Sequence, residues 1–189
     1  MRRIFPFIFV IFACAVCAAG QDGKTSEAIK NQIKSLRAEK TLELMYDKSS
    51  NVTKVLAFGE DFGRDHDRAN NLNAFSFGIT FFFVGNTLAT APDSFTMTFW
   101  AEEKKPSFAE SNAMTIIVDG ENLDVGNARY ARKTGDPREF LNFVMPRAVL
   151  EKIVRGRDVQ LRIGKAQFKF KPEHITLFSN LLAVSNPAQ

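Results

Sequence analysis

The clearest alternation of apolar and polar positions lies in the last quarter of the chain, from Arg138 to Leu182. Residues 138–145 carry apolar side chains on both faces of an extended segment, which predicts a central strand. Pro146 suits the first residue of a helix, because the backbone N–H that it lacks has no partner there. An apolar stripe then predicts a helix that ends near Gly156.

Two alternating runs come next, and only Gly164 and Lys165 separate them. A two-residue connection between matching alternations predicts a hairpin. Pro172 opens a final helix, in whose first turn we expect His174 to be an exposed polar residue without a catalytic role. The predicted packing face of this helix consists of Ile175, Phe178, Leu181 and Leu182.

Upstream of this segment the chain is a series of short alternating runs that predict strands. They cover residues 40–46, 52–58, 72–84, 94–100, 113–118, a run beyond the Asp119–Gly120 turn, and 126–133. With the strands of the last quarter the total is about eight or nine. Consecutive strands joined by tight turns favour a mainly β fold, an antiparallel β-sandwich or strongly bent sheet with two C-terminal helices packed on it. An α+β fold is the alternative.

The first twenty residues have the order of a signal peptide for export. Arg2 and Arg3 precede the apolar run 4–16, and the small residues 18–20 follow. The apolar run is short for a membrane span. We therefore expect the mature protein to be exported and to be periplasmic or extracellular after cleavage. An uncleaved N-terminal anchor is the alternative.

The length of 189 residues favours one domain with one sizeable core. We expect a signal peptide at 1–20, followed by a leader with a short helix at 21–40. A single β-rich globular domain then covers 41–184, and 185–189 form a tail. No transmembrane segment is expected in the mature chain, since no later stretch reaches spanning length.

Both cysteines, Cys14 and Cys17, lie inside the predicted signal peptide. The mature chain would then contain none, which excludes a disulfide, a Cys nucleophile and a thiolate metal site. Neither cysteine follows the small residues that normally precede a lipid-modified Cys, so a lipid anchor is a minor alternative. A disulfide-free exported chain fits a bacterial periplasm better than an animal extracellular space.

Composition narrows the possible partners. The chain has 25 basic and 21 acidic residues, and loss of Arg2 and Arg3 with the signal peptide lowers the net charge from +4 to about +2. So small an excess gives no reason to expect a nucleic-acid partner.

The chain also has 19 Phe against 2 Tyr and 1 Trp. Because Phe has no polar group, we expect most of these rings in a core.

The most polar stretch, residues 59–71, contains Asp65, His66 and Asp67. Carboxylates that flank a His can bind a divalent cation or tune a general base, so these three are the candidate catalytic residues. Their spacing matches no metal motif and the stretch also contains arginines, so we predict no metal site. The alternative is a solvated connection whose polar side chains cap turns.

Three residues are candidates for ligand binding: Trp100, Tyr130 and Arg132. Trp100 falls on the polar register of its strand, where it could stack on a sugar or a peptide or could cover the edge of a core. Tyr130 anchors the predicted strand 126–133, and Arg132 belongs to its local excess of basic residues. The structural explanation for that excess is the solvated face of a strand.

The sequence has no phosphate-binding P-loop, dinucleotide-binding glycine pattern, Gly-x-Ser-x-Gly elbow or His-Glu-x-x-His motif. We therefore favour an exported, non-enzymatic binding or assembly domain for a protein, peptide or glycan, without a cofactor. Two alternatives stay open. One is a carboxylate-dependent hydrolase that uses the 59–71 loop. The other is an envelope-associated structural protein retained by an uncleaved N-terminus.

Mass spectrometry of the exported protein tests the N-terminal prediction. We expect a mature chain that starts at Ala19, Gly20 or Gln21, because cleavage after any of the small residues 18–20 satisfies the signal-peptide pattern. An exported protein that still begins with Met1 would contradict this prediction and favour the uncleaved anchor.

Overall fold

The computed structural model describes residues 24–59, 61–63, 69–70, 72–102, 108–133 and 135–187. The predicted signal peptide, with both cysteines, lies outside the described residues. The same holds for the candidate catalytic residues Asp65, His66 and Asp67. Within the described residues, no helix has the length and apolar character needed to cross a membrane.

The described part of the chain forms ten strands and three helices, so it is mainly β, as predicted. In chain order the elements are α1 (Lys24–Ser35), β1 (Leu42–Asp47), β2 (Val52–Phe58), β3 (Ala74–Val84), β4 (Ser94–Glu102), β5 (Ala113–Val118), β6 (Glu121–Asn127), β7 (Arg129–Arg132), β8 (Arg138–Pro146), α2 (Arg147–Arg155), β9 (Val159–Ile163), β10 (Ala166–Lys169) and α3 (Pro172–Val184).

The strands form two antiparallel sheets. The first has six strands in the order β1-β2-β3-β4-β8-β7, and the second has four in the order β10-β9-β5-β6. The predicted antiparallel sandwich with two C-terminal helices is therefore confirmed, with one or two strands more than the sequence indicated. The predicted run beyond the Asp119–Gly120 turn is β6, and the predicted segment 126–133 corresponds to β7. The chain changes sheets between them at Ala128, since β6 belongs to the four-stranded sheet and β7 to the six-stranded sheet.

Phenylalanine rings fill the space between the two sheets. Phe75 of β3 lies nearly parallel to Phe168 of β10, with ring centroids 4.3 Å apart. Phe62 precedes β3 in the chain and contacts both rings, at 5.5 and 4.9 Å. All three side chains are fully or almost fully buried. Strand alternation explains the arrangement, because every second residue of β3 points towards the other sheet.

The helices close this core. Ile29 and Ile33 of α1 are buried, so the helix predicted in the leader segment packs on the body of the protein. Its Gln32 donates a hydrogen bond from Nε2 to the carbonyl oxygen of Ala183, at the end of α3 (2.9 Å). Helix α2 follows β8 directly, with Pro146 as its N-cap, and buries Leu150.

The predicted exposure of His174 is wrong, because its side chain is fully buried. The ring lies 5.0 Å from Phe62 and 5.2 Å from Phe77, edge-on to both. Its Nδ1 accepts a hydrogen bond from the backbone N–H of Lys171, the N-cap of α3. The physical reason is the helical period, since His174 lies one turn before the buried Phe178 and therefore shares its face.

The strand predicted at 138–145 is confirmed as central in its sheet, but only one of its two faces is covered. The side chains that alternate inward, such as Leu141 and Phe143, are buried. On the other face Val144 is 67% exposed. This strand, β8, lies between β4 and β7, so it is interior within its sheet. A strand between two others forms backbone hydrogen bonds on both sides, but its faces are buried only where another layer packs on them.

The predicted hairpin at Gly164–Lys165 is confirmed, since Ile163 pairs with Ala166 across the turn. Gly164 has a φ of +56°, and a Cβ added there would lie 2.4 Å from the carbonyl oxygen of Ser111. Gly120, in the turn between β5 and β6, also has a positive φ of +88°. No atom lies within 4 Å of a Cβ added to Gly120.

These two glycines form a matched pair of variants. Gly120→Ala should lower the free energy of unfolding by about 1–2 kcal/mol, the cost of a left-handed backbone for a residue with a Cβ. Gly164→Ala adds a collision with the Ser111 backbone, so its loss should reach about 3 kcal/mol or more. Urea denaturation of both variants measures the difference. Equal losses would show that the Ser111 contact does not constrain the hairpin.

Candidate functional site

The structure separates the predicted ligand-binding residues between the two faces of the six-stranded sheet. Trp100 pairs with Phe140 of β8, and both side chains lie on the face that points away from the ring cluster. Tyr130 pairs with Leu141, one register position further, so its side chain points to the opposite, inner face. Arg132 shares that inner register. Tyr130 and Arg132 therefore come together, whereas Trp100 does not join them.

The outer face of the six-stranded sheet, meaning the face opposite the ring cluster, carries several exposed apolar side chains among polar ones. The large side chains exposed on it are Met45 (39%), Phe58 (45%), Phe82 (54%), Val84 (75%) and Val144 (67%). They come from β1, β2, β3 and β8, so they span most of the width of the sheet. Single exposed apolar residues are ordinary, whereas several on one surface make that surface a candidate interaction site.

Trp100 lies in the middle of this outer face. Its Cη2 is 3.5 Å from the position that a Cβ on Gly78 would take, so the indole extends over the backbone of β3. Two residues earlier on β4, and on the same face, Thr98 donates a hydrogen bond to Oδ1 of Asn142 (2.8 Å). The centre of the face thus combines a half-buried indole with polar groups that already bond to each other.

Charged residues lie both inside the outer face and at its end, and Lys54 stands between Met45 and Phe82. Lys54 is paired with Phe82 across β2 and β3, with its Nζ 5.9 Å from the ring centroid. Glu102 and Arg138 face each other at the far end of β4 and β8. The solvent side of the four-stranded sheet is different in kind, because polar side chains dominate it: Thr115, Asn122, Asp124, Gln160, Arg162, Gln167 and Lys169.

On the inner face, Tyr130 and Arg132 surround a carboxylate that the sequence analysis missed. Glu139 is fully buried, and its Oε1 accepts a hydrogen bond from Tyr130 Oη (2.7 Å). Arg132 Nη1 lies 4.0 Å from the same oxygen, and Arg132 Nε donates to the carbonyl oxygen of Asp136. The signal in the sequence is a glutamate on the apolar register of β8, where Leu141 and Phe143 are its inward neighbours.

The contacts of this cluster define its chemistry. Burial and the hydrogen bond to Glu139 raise the pKa of Tyr130 to about 12, so the phenol stays protonated at neutral pH. It acts as a hydrogen-bond donor and not as a base. A buried carboxylate requires such donors, because its transfer from water without a partner is costly. Tyr130 and Arg132 thus serve as partners of Glu139 where the chain passes from one sheet to the other.

A cleft of about 330 Å³ lies at the end of the sandwich, lined by Ala69, Asn70, Phe108, Glu110, Ser111, Lys165 and Ala166. Asn70 bonds to the edge strand β10, since its side chain accepts from the backbone N–H of Gln167 and donates to the carbonyl oxygen of the same residue. Within the described residues, no three His, Asp or Glu side chains are grouped to hold a metal ion.

Comparison with known proteins identifies no family for this chain. No protein-family model matches the chain, and no curated protein matches it. Among solved structures, it is similar to a crystal structure at 1.90 Å described as a novel protein of unknown function from Burkholderia pseudomallei K96243. The two share 12% identity over 82% of this chain and 94% of that chain, with a TM-score of 0.33. So low a score supports no conclusion about fold or function.

The Tyr130–Glu139 contact predicts a stability change that depends on pH. Tyr130→Phe should lower the free energy of unfolding by about 1–2 kcal/mol near neutral pH, because Glu139 loses a donor. The folded pKa of Tyr130, about 12, exceeds its ordinary value of 10.0. The stabilisation is therefore complete below about pH 10 and is lost as the pH rises towards 12. Urea denaturation from neutral to alkaline pH should show the difference between wild type and variant shrinking above pH 10.

Tyr46→Phe is the matched control for this prediction. Its hydroxyl donates to Oδ1 of Asn51 on the surface (2.9 Å). Removal of this exposed bond should change stability by less than about 0.5 kcal/mol. If Tyr130→Phe costs no more than Tyr46→Phe, the buried carboxylate does not depend on the phenol.

Proposed function

We propose that this chain is an exported, non-enzymatic assembly domain that binds an apolar surface of a protein partner on the outer face of its six-stranded sheet. The observation that carries the proposal is the exposure of Met45, Phe58, Phe82, Val84 and Val144 on that one surface. Burial of such side chains is the main driving force of protein association. The fold does not need them to be apolar, because the core lies on the other side of the sheet.

The size of the outer face suits a protein partner. At about 3.3 Å per residue along a strand and about 4.8 Å between strands, the six strands present roughly 700 Å² on this side. A standard protein interface buries about 800 Å² of each partner. Glu102 and Arg138 lie at one end of this face, whereas Lys54 lies between Met45 and Phe82. A protein interface combines apolar contacts with polar and charged groups, so these residues are compatible with a protein partner.

The chemistry of the face favours a protein over a glycan. A sugar needs several converging polar groups as well as a ring to stack on. On the outer face the central polar groups, Thr98 and Asn142, bond to each other. The most exposed residues are Phe and Val, which offer no hydrogen bond. Trp100 contributes a half-buried ring to this surface, and a partner would cover it.

Export is supported by the order of residues at the N-terminus. Arg2 and Arg3, the apolar run 4–16 and the small residues 18–20 follow the arrangement of a signal peptide. An assembly domain with an apolar face then meets its partner in the periplasm or outside the cell.

A photo-crosslinking amino acid at position 82 tests the proposal in the host. We expect it to capture one protein that the same amino acid at position 162, on the polar side of the four-stranded sheet, does not capture. The captured protein is then purified and titrated against the wild type and the double variant Phe82→Ser with Val144→Ser. The double variant should bind at least about tenfold more weakly, since two exposed apolar contacts are lost.

Arg162→Ser is the matched surface control and should bind within about twofold of the wild type, because rim and distant polar residues contribute little. Trp100 emission should shift to shorter wavelength when the partner covers the face. Equal binding by all three proteins would refute the outer face as the site. A saturable change of Trp100 emission with a glycan panel, together with no captured protein, would favour a glycan ligand instead.

A further inference from the structure

Three of the four sheet edges in the described structure carry a feature that opposes pairing with another strand. The edge strand β10 has only four residues, and the Asn70 side chain occupies both backbone groups of its Gln167. Strand β7 also has only four residues, and Arg129 and Arg132 are its ends. Short length, charge and covering groups are the usual protections of an edge.

The third protected edge is β6, and the fourth edge, β1, differs from the others. Strand β6 is irregular, because its pairing with β5 shifts register between Met114 and Thr115 and Gly126 has a φ of +98°. Strand β1, by contrast, has six residues in unbroken register with β2 and no residue of positive φ. Among the described edges, β1 alone has more than four residues in an unbroken register with its neighbour.

The hydrogen-bond pattern shows which backbone groups of β1 point away from the sheet. The N–H of Phe58 donates to the carbonyl oxygen of Thr41 (3.0 Å). Since such bonds alternate in an antiparallel pair, the odd-numbered residues of β1 bond to β2. The even-numbered residues, Leu42, Leu44 and Tyr46, then direct their backbone groups outward. Only the N–H of Leu42 has a described partner, the carbonyl oxygen of Ala38 (2.8 Å).

We propose that β1 pairs with β1 of a second copy of this chain, antiparallel and with the two-fold axis at Leu44. Leu44 then exchanges two backbone hydrogen bonds with its counterpart. The N–H of each Tyr46 donates to the carbonyl oxygen of Leu42 in the other copy. The two six-stranded sheets become one sheet of twelve strands. This inference rests on the edge and is independent of the function proposed for the outer face.

The carboxylates of β1 favour this register over its neighbours. With Leu44 on the axis, Glu43 lies opposite Met45 of the other copy, and Thr41 lies opposite Asp47. A two-residue shift in one direction places Glu43 opposite itself, and in the other direction opposite Asp47, so both shifts bring carboxylates together. Of these three two-fold registers, the one centred on Leu44 is therefore the one in which no two carboxylates of β1 lie opposite each other.

The side chains of β1 also fit a second copy. Leu44 is half-buried and Tyr46 is exposed, although both lie on the register that faces the core. In the proposed pairing the two Leu44 side chains lie next to each other, and each Tyr46 lies beside Leu42 of the other copy. The dimer would bury the side chains of Leu44 and Tyr46, which one chain leaves partly exposed at this edge. A two-fold contact of this type is isologous, so it uses the same surface on both copies and closes at two chains.

Sedimentation equilibrium of the intact chain, with hydrogen exchange of the β1 amides, tests the pairing. We expect a dimer whose Leu44 and Tyr46 amides become protected as the concentration rises. Tyr46→Pro removes one outward N–H per copy and should weaken the dimer at least about tenfold, with β1 still paired to β2. Tyr46→Ala removes the side chain but keeps the N–H, so its dimer should be stronger than that of Tyr46→Pro.

A charge pair tests the register. Met45→Glu places a carboxylate opposite Glu43 of the other copy at two symmetric positions, so the dimer should weaken at least about tenfold. Adding Glu43→Lys to the same chain should restore it. A wild type that stays monomeric at its highest soluble concentration overturns the proposal. A dimer that resists both Tyr46→Pro and Met45→Glu but is lost with Phe82→Ser also overturns it and assigns the dimer to the outer face.

Discussion

The stacking of Phe75 on Phe168 is the contact on which the rest of the structure depends, because it joins the two sheets at a centroid distance of 4.3 Å. Phe62 and the buried ring of His174 extend this contact to the last helix. Once these rings are inside, strand alternation fixes the direction of every other side chain in β3 and its neighbours. Which residues form the outer face therefore follows from how the core is packed.

Local patterns were sufficient to predict the elements of the last quarter. The strand, helix, hairpin and helix there depend on alternation, on proline at a helix start and on the Gly164–Lys165 turn, all of which act over a few residues. Sheet membership is not local, so the division at Ala128 between the two sheets left no readable signal in the sequence. The burial of His174 was readable in principle, since Phe178 lies one helical turn further on.

The candidate site was only partly predictable for the same reason. The position of Trp100 on the polar register of β4 placed it on the outer face correctly. The apolar residues around it could not be recognised as exposed, because a strand such as β8, with Val144 on one side and Phe143 on the other, has the pattern of a strand covered on both faces. Only the third dimension shows that the second sheet covers one side.

An exposed apolar sheet face and an unprotected sheet edge are both unfavourable for a domain in water, since each favours aggregation. Here they belong to the same sheet and adjoin at Met45, whose side chain lies on the outer face while its strand, β1, is the edge. The outer face does not contribute to the core, because the buried ring cluster lies on the other side of the sheet. A second copy paired through β1 would satisfy the edge and at the same time double the width of the outer face. The partner surface would then span two chains, which gives one physical reason for both features to persist together.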